Sequence, residues 1–174
     1  LRGLDALIYS LYNNSRFVIV GTPSGVTLSP EGGAHQSTIT ASVGAELPGL
    51  VAVEPAFATE VEWLLCDSLD QLSQADGEST YLRLSTLPID QTPFGLAVDR
   101  YGLEVLRDLV LKGGYRLIDK PPTGRVGVTL ITTGVMVPEA LGAAAELEQD
   151  GIDATVLHLT SPDRIYRSWK ADHS

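Results

Sequence analysis

Short runs of β-branched and other apolar residues alternate along this chain with longer segments whose apolar positions recur every three or four residues. Leu4, Leu7, Ile8, Leu11 and Tyr12 recur in this way and predict an amphipathic helix over residues 2–13, stopped at Asn13-Asn14. Phe17-Val-Ile-Val20 is continuous and β-branched, the pattern of a parallel strand buried on both faces. Residues 37–46 are weakly periodic, open on a serine and run into Pro48-Gly49, which predicts a short helix. Leu50-Val-Ala-Val53 is the next buried strand, broken by Glu54-Pro55. Ala58 to Leu72 predicts a strong helix with Val61, Leu64, Leu65 and Leu69 on one face. After the turn Ala75-Asp-Gly-Glu78, Tyr81-Leu-Arg-Leu84 predicts a third strand.

Residues 85–124 are richer in Pro, Gly and charge and read as a connector holding one helix, Asp99 to Lys112, with Leu103, Leu106, Leu109 and Val110 inward. Gly114 to Ile118 adds an edge strand or hairpin arm. Val126 to Ile131 then predicts another buried strand, Thr132-Thr-Gly134 a tight exit, and Pro138 to Gln149 a helix closed by Gly151. Asp153 to His158 is the last strand, and Asp163 to Trp169 a surface helix of mixed charge. Strand alternating with helix implies an α/β fold of parallel, doubly wound sheets.

The first strand runs straight into Gly21-Thr-Pro-Ser-Gly-Val-Thr-Leu-Ser-Pro-Glu-Gly-Gly-Ala-His-Gln-Ser37, a polar, glycine-rich stretch. In open parallel sheets ligands gather beyond the carboxyl ends of the strands, where this loop lies. Its ionisable side chains are Glu31 and His35, and only the histidine titrates near neutral pH. Thr132-Thr-Gly134 lacks the remaining glycines of a dinucleotide fingerprint. Cys66, Trp63 and Asp67 read as structural, with Cys66 packed inside, and His158 as a packed strand residue.

Charge narrows the partners. Twelve basic against 22 acidic residues give a net charge of −10 and a pI near 4.6 over 174 residues, which argues against nucleic acid and against an anionic membrane surface. The single cysteine forbids an intrachain disulfide and fits a reducing, cytoplasmic setting. No apolar run approaches the roughly 18 residues of a membrane span, and the start is neither a signal peptide nor a natural initiation site.

Arg16-Phe-Val-Ile-Val-Gly-Thr-Pro-Ser-Gly-Val-Thr-Leu28 with Glu31-Gly-Gly-Ala-His-Gln36 resembles the pyrimidine-domain segment of thiamin-diphosphate enzymes of the transketolase superfamily. Glu54-Pro-Ala-Phe-Ala58, Glu60-Val61 and Asp67-Ser-Leu69, and later Thr160-Ser161, are similar to the homodimeric pyruvate dehydrogenase group within it. The resemblance implies the second part of a pyrimidine-binding domain over 1–90, an interdomain connector over 91–124 and the first part of a transketolase C-terminal-like domain over 125–174. It implies a parent enzyme that decarboxylates a 2-oxo acid, pyruvate in this group, and hands the acyl group to a lipoyl-bearing acyltransferase. A transketolase moving a two-carbon unit between sugar phosphates is the second possibility, and a non-catalytic dimerisation or docking piece the third. His35 is the implied catalytic residue, with Glu31, Gln36 and Ser37 as its supporting loop. Thiamin diphosphate and Mg²⁺ are the implied cofactors of the full-length enzyme. The family's Gly-Asp-Gly metal motif and its activating glutamate have no counterpart here, so this chain is expected to supply no metal ligands and to look like an internal piece of a homodimer subunit.

Overall fold

The computed structural model describes residues 3–22, 25–32 and 39–173. Among them six strands form two sheets. In the first, β1 (Val18–Gly21), β2 (Leu50–Val53) and β3 (Ser79–Arg83) are all parallel, in the order β1-β3-β2. In the second, β4 (Gly114–Ile118), β5 (Gly127–Thr133) and β6 (Asp153–Leu159) run in the order β4-β6-β5, with β5 parallel and β4 antiparallel to β6. The expected α/β class is therefore the observed one, and β4 is the expected edge strand.

Which strands are central differs from the expectation. β1 and β5 lie at sheet edges, with Val20 46% and Ile131 65% exposed, rather than buried on both faces. A β-branched run signals a strand but carries no count of its neighbours. The central strands are β3 and β6, whose buried positions include Tyr81, Leu82, Val156 and His158.

The helices are α1 (Leu4–Tyr12), α2 (Thr40–Glu46), α3 (Ala58–Gln71), α4 (Thr92–Tyr101), α5 (Leu103–Lys112), α6 (Val137–Gln149) and α7 (Pro162–Asp172), with a 3₁₀ turn at Val26–Glu31 and a shorter one at Gly134–Met136. None is long and apolar enough to cross a membrane. The single connector helix expected from Asp99 is two helices. They break at Gly102, which sits at φ 77°, a conformation a side chain would strain. α5 then buries Leu106 and Val110 and leaves Leu103 57% exposed.

The face of α3 also differs from the apolar stripe read from the sequence. Its buried residues are Glu60, Leu64 and Ser68, each four apart, while Leu69 is half-exposed and Cys66 lies outside on the solvent side. α3 packs against β3 and α5, Glu60 finds its partners on β4 and β6, and Ser68 donates to the Leu64 carbonyl of its own helix, so neither needs to face water. Phe57, Leu64, Phe94, Leu106, Val110, Tyr115 and Val156 belong to one continuous core that both sheets share. Phe57 and Phe94 meet with ring centroids 5.5 Å apart, and Trp63 packs on Phe94 at 5.7 Å.

The outer edge of β2 is closed by the start of α7. Ser161 Oγ donates to the carbonyl of Ala52 at 2.7 Å, and Asp163 Oδ2 accepts from its amide at 2.7 Å. Those groups would otherwise be an unpaired edge. Arg164 then reaches Asp67 on α3 at 2.6 Å, so Asp67 has the structural role expected of it.

Candidate functional site

The carboxyl ends of both parallel ladders converge on Glu54, the residue that follows β2. Its amide donates to the carbonyl of Thr160, just after β6, at 2.8 Å, and its carbonyl accepts from the amide of Gly134, just after β5, at 3.2 Å. Its carboxylate pairs with Arg83 at the end of β3. A narrow pocket of about 10 Å³, room for little more than one water molecule, opens here between Glu54 and Pro55, Arg83 to Ser85, and Gly134 with Val135. This pocket lies beyond the carboxyl ends of parallel strands from both sheets.

Gly21, Gly25, Thr27 and Leu28 of the glycine-rich stretch lie beside the same crevice. Leu84 donates its amide to the Gly21 carbonyl at 2.9 Å, Thr27 Oγ1 and Ser85 Oγ share a hydrogen bond of 3.0 Å, and Leu28 is buried beneath. Glycine is required where the loop closes in. A Cβ on Gly25 would stand 2.5 Å from Arg83 Nη2, and one on Gly134 2.6 Å from the Glu54 carboxylate. Both residues also have positive φ, 89° and 51°. The Tyr81 hydroxyl fills the corresponding space beside Gly21. Burial pushes the Tyr81 phenol above its ordinary value of 10.0, with Arg83 opposing and Glu54 adding to the shift, so it is a protonated donor at neutral pH.

Of the residues singled out in the sequence, Glu31 ends the 3₁₀ turn and is exposed. His35, Gln36 and Ser37 lie outside the described residues. Sequence reasoning missed Arg83, Ser85 and Glu54 as parts of the crevice, and Tyr81 as the side chain beside Gly21. The available signal was a charged residue inside the apolar Tyr81-Leu-Arg-Leu84, placed where a parallel strand ends.

A second titratable cluster is sealed from ligands. Glu60 and His158 are both fully buried, with Glu60 Oε2 3.1 Å from His158 Nε2. Oε1 accepts from the Tyr115 hydroxyl at 2.7 Å, and Oε2 also accepts from the amides of Ala56 and Phe57 at 2.9 and 3.0 Å. Burial alone would raise the Glu60 pKa. The charge of His158 and these hydrogen bonds outweigh it and hold the carboxyl below its ordinary range. Burial, then the neighbouring Glu60 charge, pushes the Tyr115 phenol far up. The cluster joins α3 to β4 and β6, so His158 is packed as expected, and with a partner that spacing did not reveal. A larger cavity at the amino ends of the first sheet takes in Arg16, which is committed to the carbonyls of Gln74 and Ala75.

Residues 123–169 match the family model described as transketolase, C-terminal domain. Over 152 residues, 87% of this chain, the sequence is 29% identical to the pyruvate dehydrogenase E1 component of Mycolicibacterium smegmatis, of which it spans 16%. Over 148 residues, 81% of this chain, it is 30% identical to the 6-deoxy-6-sulfo-D-fructose transketolase subunit SqwH of a Clostridium species, of which it spans 38%. The chain is thus similar both to pyruvate dehydrogenase E1 components and to transketolase family proteins. A transketolase from Leishmania mexicana shares its fold, with a TM-score of 0.66 at 19% identity over 94% of this chain and 22% of that one. The chain spans well under half the length of each of these relatives.

Proposed function

We propose that this chain is part of a thiamin-diphosphate-dependent 2-oxo acid dehydrogenase component of the pyruvate dehydrogenase kind. The parent decarboxylates the 2-oxo acid and passes the acyl group to the lipoyl arm of an acyltransferase, as a cytoplasmic homodimer. Residues 1–90 are assigned to the second part of its pyrimidine-binding domain, 91–124 to the connector and 125–174 to the first part of its C-terminal domain. The observation that carries the reading is the convergence of both sheets' carboxyl ends and the glycine-rich exit loop on one crevice, in a chain with a pyruvate dehydrogenase component among its relatives.

The bound cofactor supplies the carbanion chemistry. Residues of this chain would stand near it. Ser85, hydrogen-bonded to Thr27, would face it, and Glu54 with Arg83 holds the walls together. His35 is assigned proton transfer or substrate positioning, with Glu31, Gln36 and Ser37 supporting its loop. The ligands of Mg²⁺ and of the diphosphate are assigned elsewhere in the parent protein, where the Gly-Asp-Gly motif of the family would stand.

The second reading is a transketolase that moves a two-carbon unit between sugar phosphates, favoured by the relative named as a transketolase subunit. The third, a docking or dimerisation piece without catalysis, draws on the missing metal ligands. Calorimetric titration of the full-length protein with thiamin diphosphate and Mg²⁺ separates the third from the others. An enzyme should bind with a micromolar dissociation constant, about 8 kcal/mol, and the 174-residue chain alone should show no such affinity. Turnover of pyruvate with a lipoyl acceptor, set against turnover of ketose phosphates, then decides between the two enzymes.

A further inference from the structure

The exit loop and the joint between the sheets meet on one side chain. Arg83 sends Nη1 to Oε1 of Glu54, while its Nη2 occupies the space that a Cβ on Gly25 would take. The pair is largely shielded, 14% and 17% exposed. Glu54 is itself fixed at both backbone groups, to Thr160 and to Gly134 of the second sheet. A guanidinium is a planar fork whose two arms keep a fixed separation, so moving one end moves the other, whereas a lysine ammonium is a single point on a flexible stem.

We propose that Arg83 is a positioning residue that couples the placement of the loop leaving β1 to the joint between the two sheets. A shift of β5 and β6 against β2 moves Glu54 through its backbone, the carboxylate carries Arg83, and Arg83 presses on the loop at Gly25. The crevice thereby keeps one geometry only while both sheets are docked. Its consequence for catalysis rests on the exit loop being the active-site loop; the coupling itself does not.

Amide hydrogen exchange tests the coupling without cofactor or substrate. The reporters are the amides of Leu28, bonded to the Gly25 carbonyl, and Leu84, bonded to the Gly21 carbonyl; central amides of β6 serve as the reference. Gly134→Ala places a methyl against the Glu54 carboxylate, at the far end of the relay. With Arg83 present it should lower protection at Leu28 about tenfold, within the usual range for coupled sites, while the β6 reference holds. In an Arg83→Lys background the same substitution should change Leu28 by less than about twofold. Glu54→Gln weakens the same end without added volume and should repeat both results. Leu28 protection indifferent to Gly134→Ala and Glu54→Gln with Arg83 intact, or equal losses in both backgrounds, overturns the coupling. Absence of thiamin diphosphate binding by the full-length protein would remove the catalytic reading and leave these exchange results as they are.

Discussion

Replacing Glu60 tests how the two sheets are held together. Glu60→Ala leaves four donors without their acceptor: the buried Tyr115 hydroxyl, His158 Nε2 and Phe57 amide, and the part-buried amide of Ala56. Each orphaned buried donor costs about 1–3 kcal/mol, so the loss is expected at about 4 kcal/mol or more, a large part of the roughly 5–15 kcal/mol that stabilises a domain. Glu60→Gln should cost much less. Its carbonyl oxygen can stand where Oε2 accepts from the amides and His158, and its amide group can donate to a rotated Tyr115 hydroxyl. What goes is the charge, worth about 1–2 kcal/mol as charged bonds become neutral ones. Urea unfolding at constant slope reads both values, with exposed Glu62→Ala as a control expected within about 0.5 kcal/mol. A Glu60→Ala cost under about 1.5 kcal/mol would refute a dry, interlocked joint. The same variants report on pH. The folded pKa of Glu60 lies below its ordinary 4.5, so its contribution is complete above that value and disappears as pH falls through the lowered one. Between about pH 6 and about pH 3 the native protein should therefore lose more stability than Glu60→Gln.

In the full-length protein, His35→Ala should lower turnover on the order of a hundredfold while thiamin diphosphate still binds, by steady-state kinetics and calorimetry; near-normal turnover means another residue moves the proton. Asp163→Ala and Ser161→Ala each strip a partner from Ala52 on the open edge of β2 and should each lower the urea stability by about 1–2 kcal/mol. Cys66, on the solvent side of α3, should react with a thiol reagent in the native protein about as fast as in denaturant; strong native protection would return it to the interior.

Local pattern made the elements legible and left their surroundings unread. Leu50–Val53, Asp153–His158 and the helix from Ala58 were evident because period and punctuation are local properties. Edge and centre were not, since the burial of a strand depends on partners far along the chain: β3, with an arginine in it, is central, and the smoothly apolar β1 is not. The apolar stripe of α3 misled for a related reason. Its buried face carries Glu60 and Ser68, whose partners on β4, on β6 and in the helix backbone no spacing rule connects to it. Along the site, the glycines of the exit loop announced a close approach, but not that Arg83 and Tyr81, some sixty residues later, were what they approached.

Residues 54–60 explain how so short a contact holds two sheets in register. At one end Glu54 is tied to both parallel strands of the second sheet by its backbone and to β3 by its carboxylate. At the other, Glu60 reaches back to the amides of Ala56 and Phe57, which fixes the first turn of α3, and outward to Tyr115 and His158. Phe57 lies between them, fully buried against Phe94 and edge-on to His158. Pro55 keeps this stretch extended before the helix begins. The two acidic side chains thus divide one task by environment. The partly exposed one shapes the crevice, where a shift of an ångström matters to a ligand, and the buried one sets the stability of the joint on which that crevice depends.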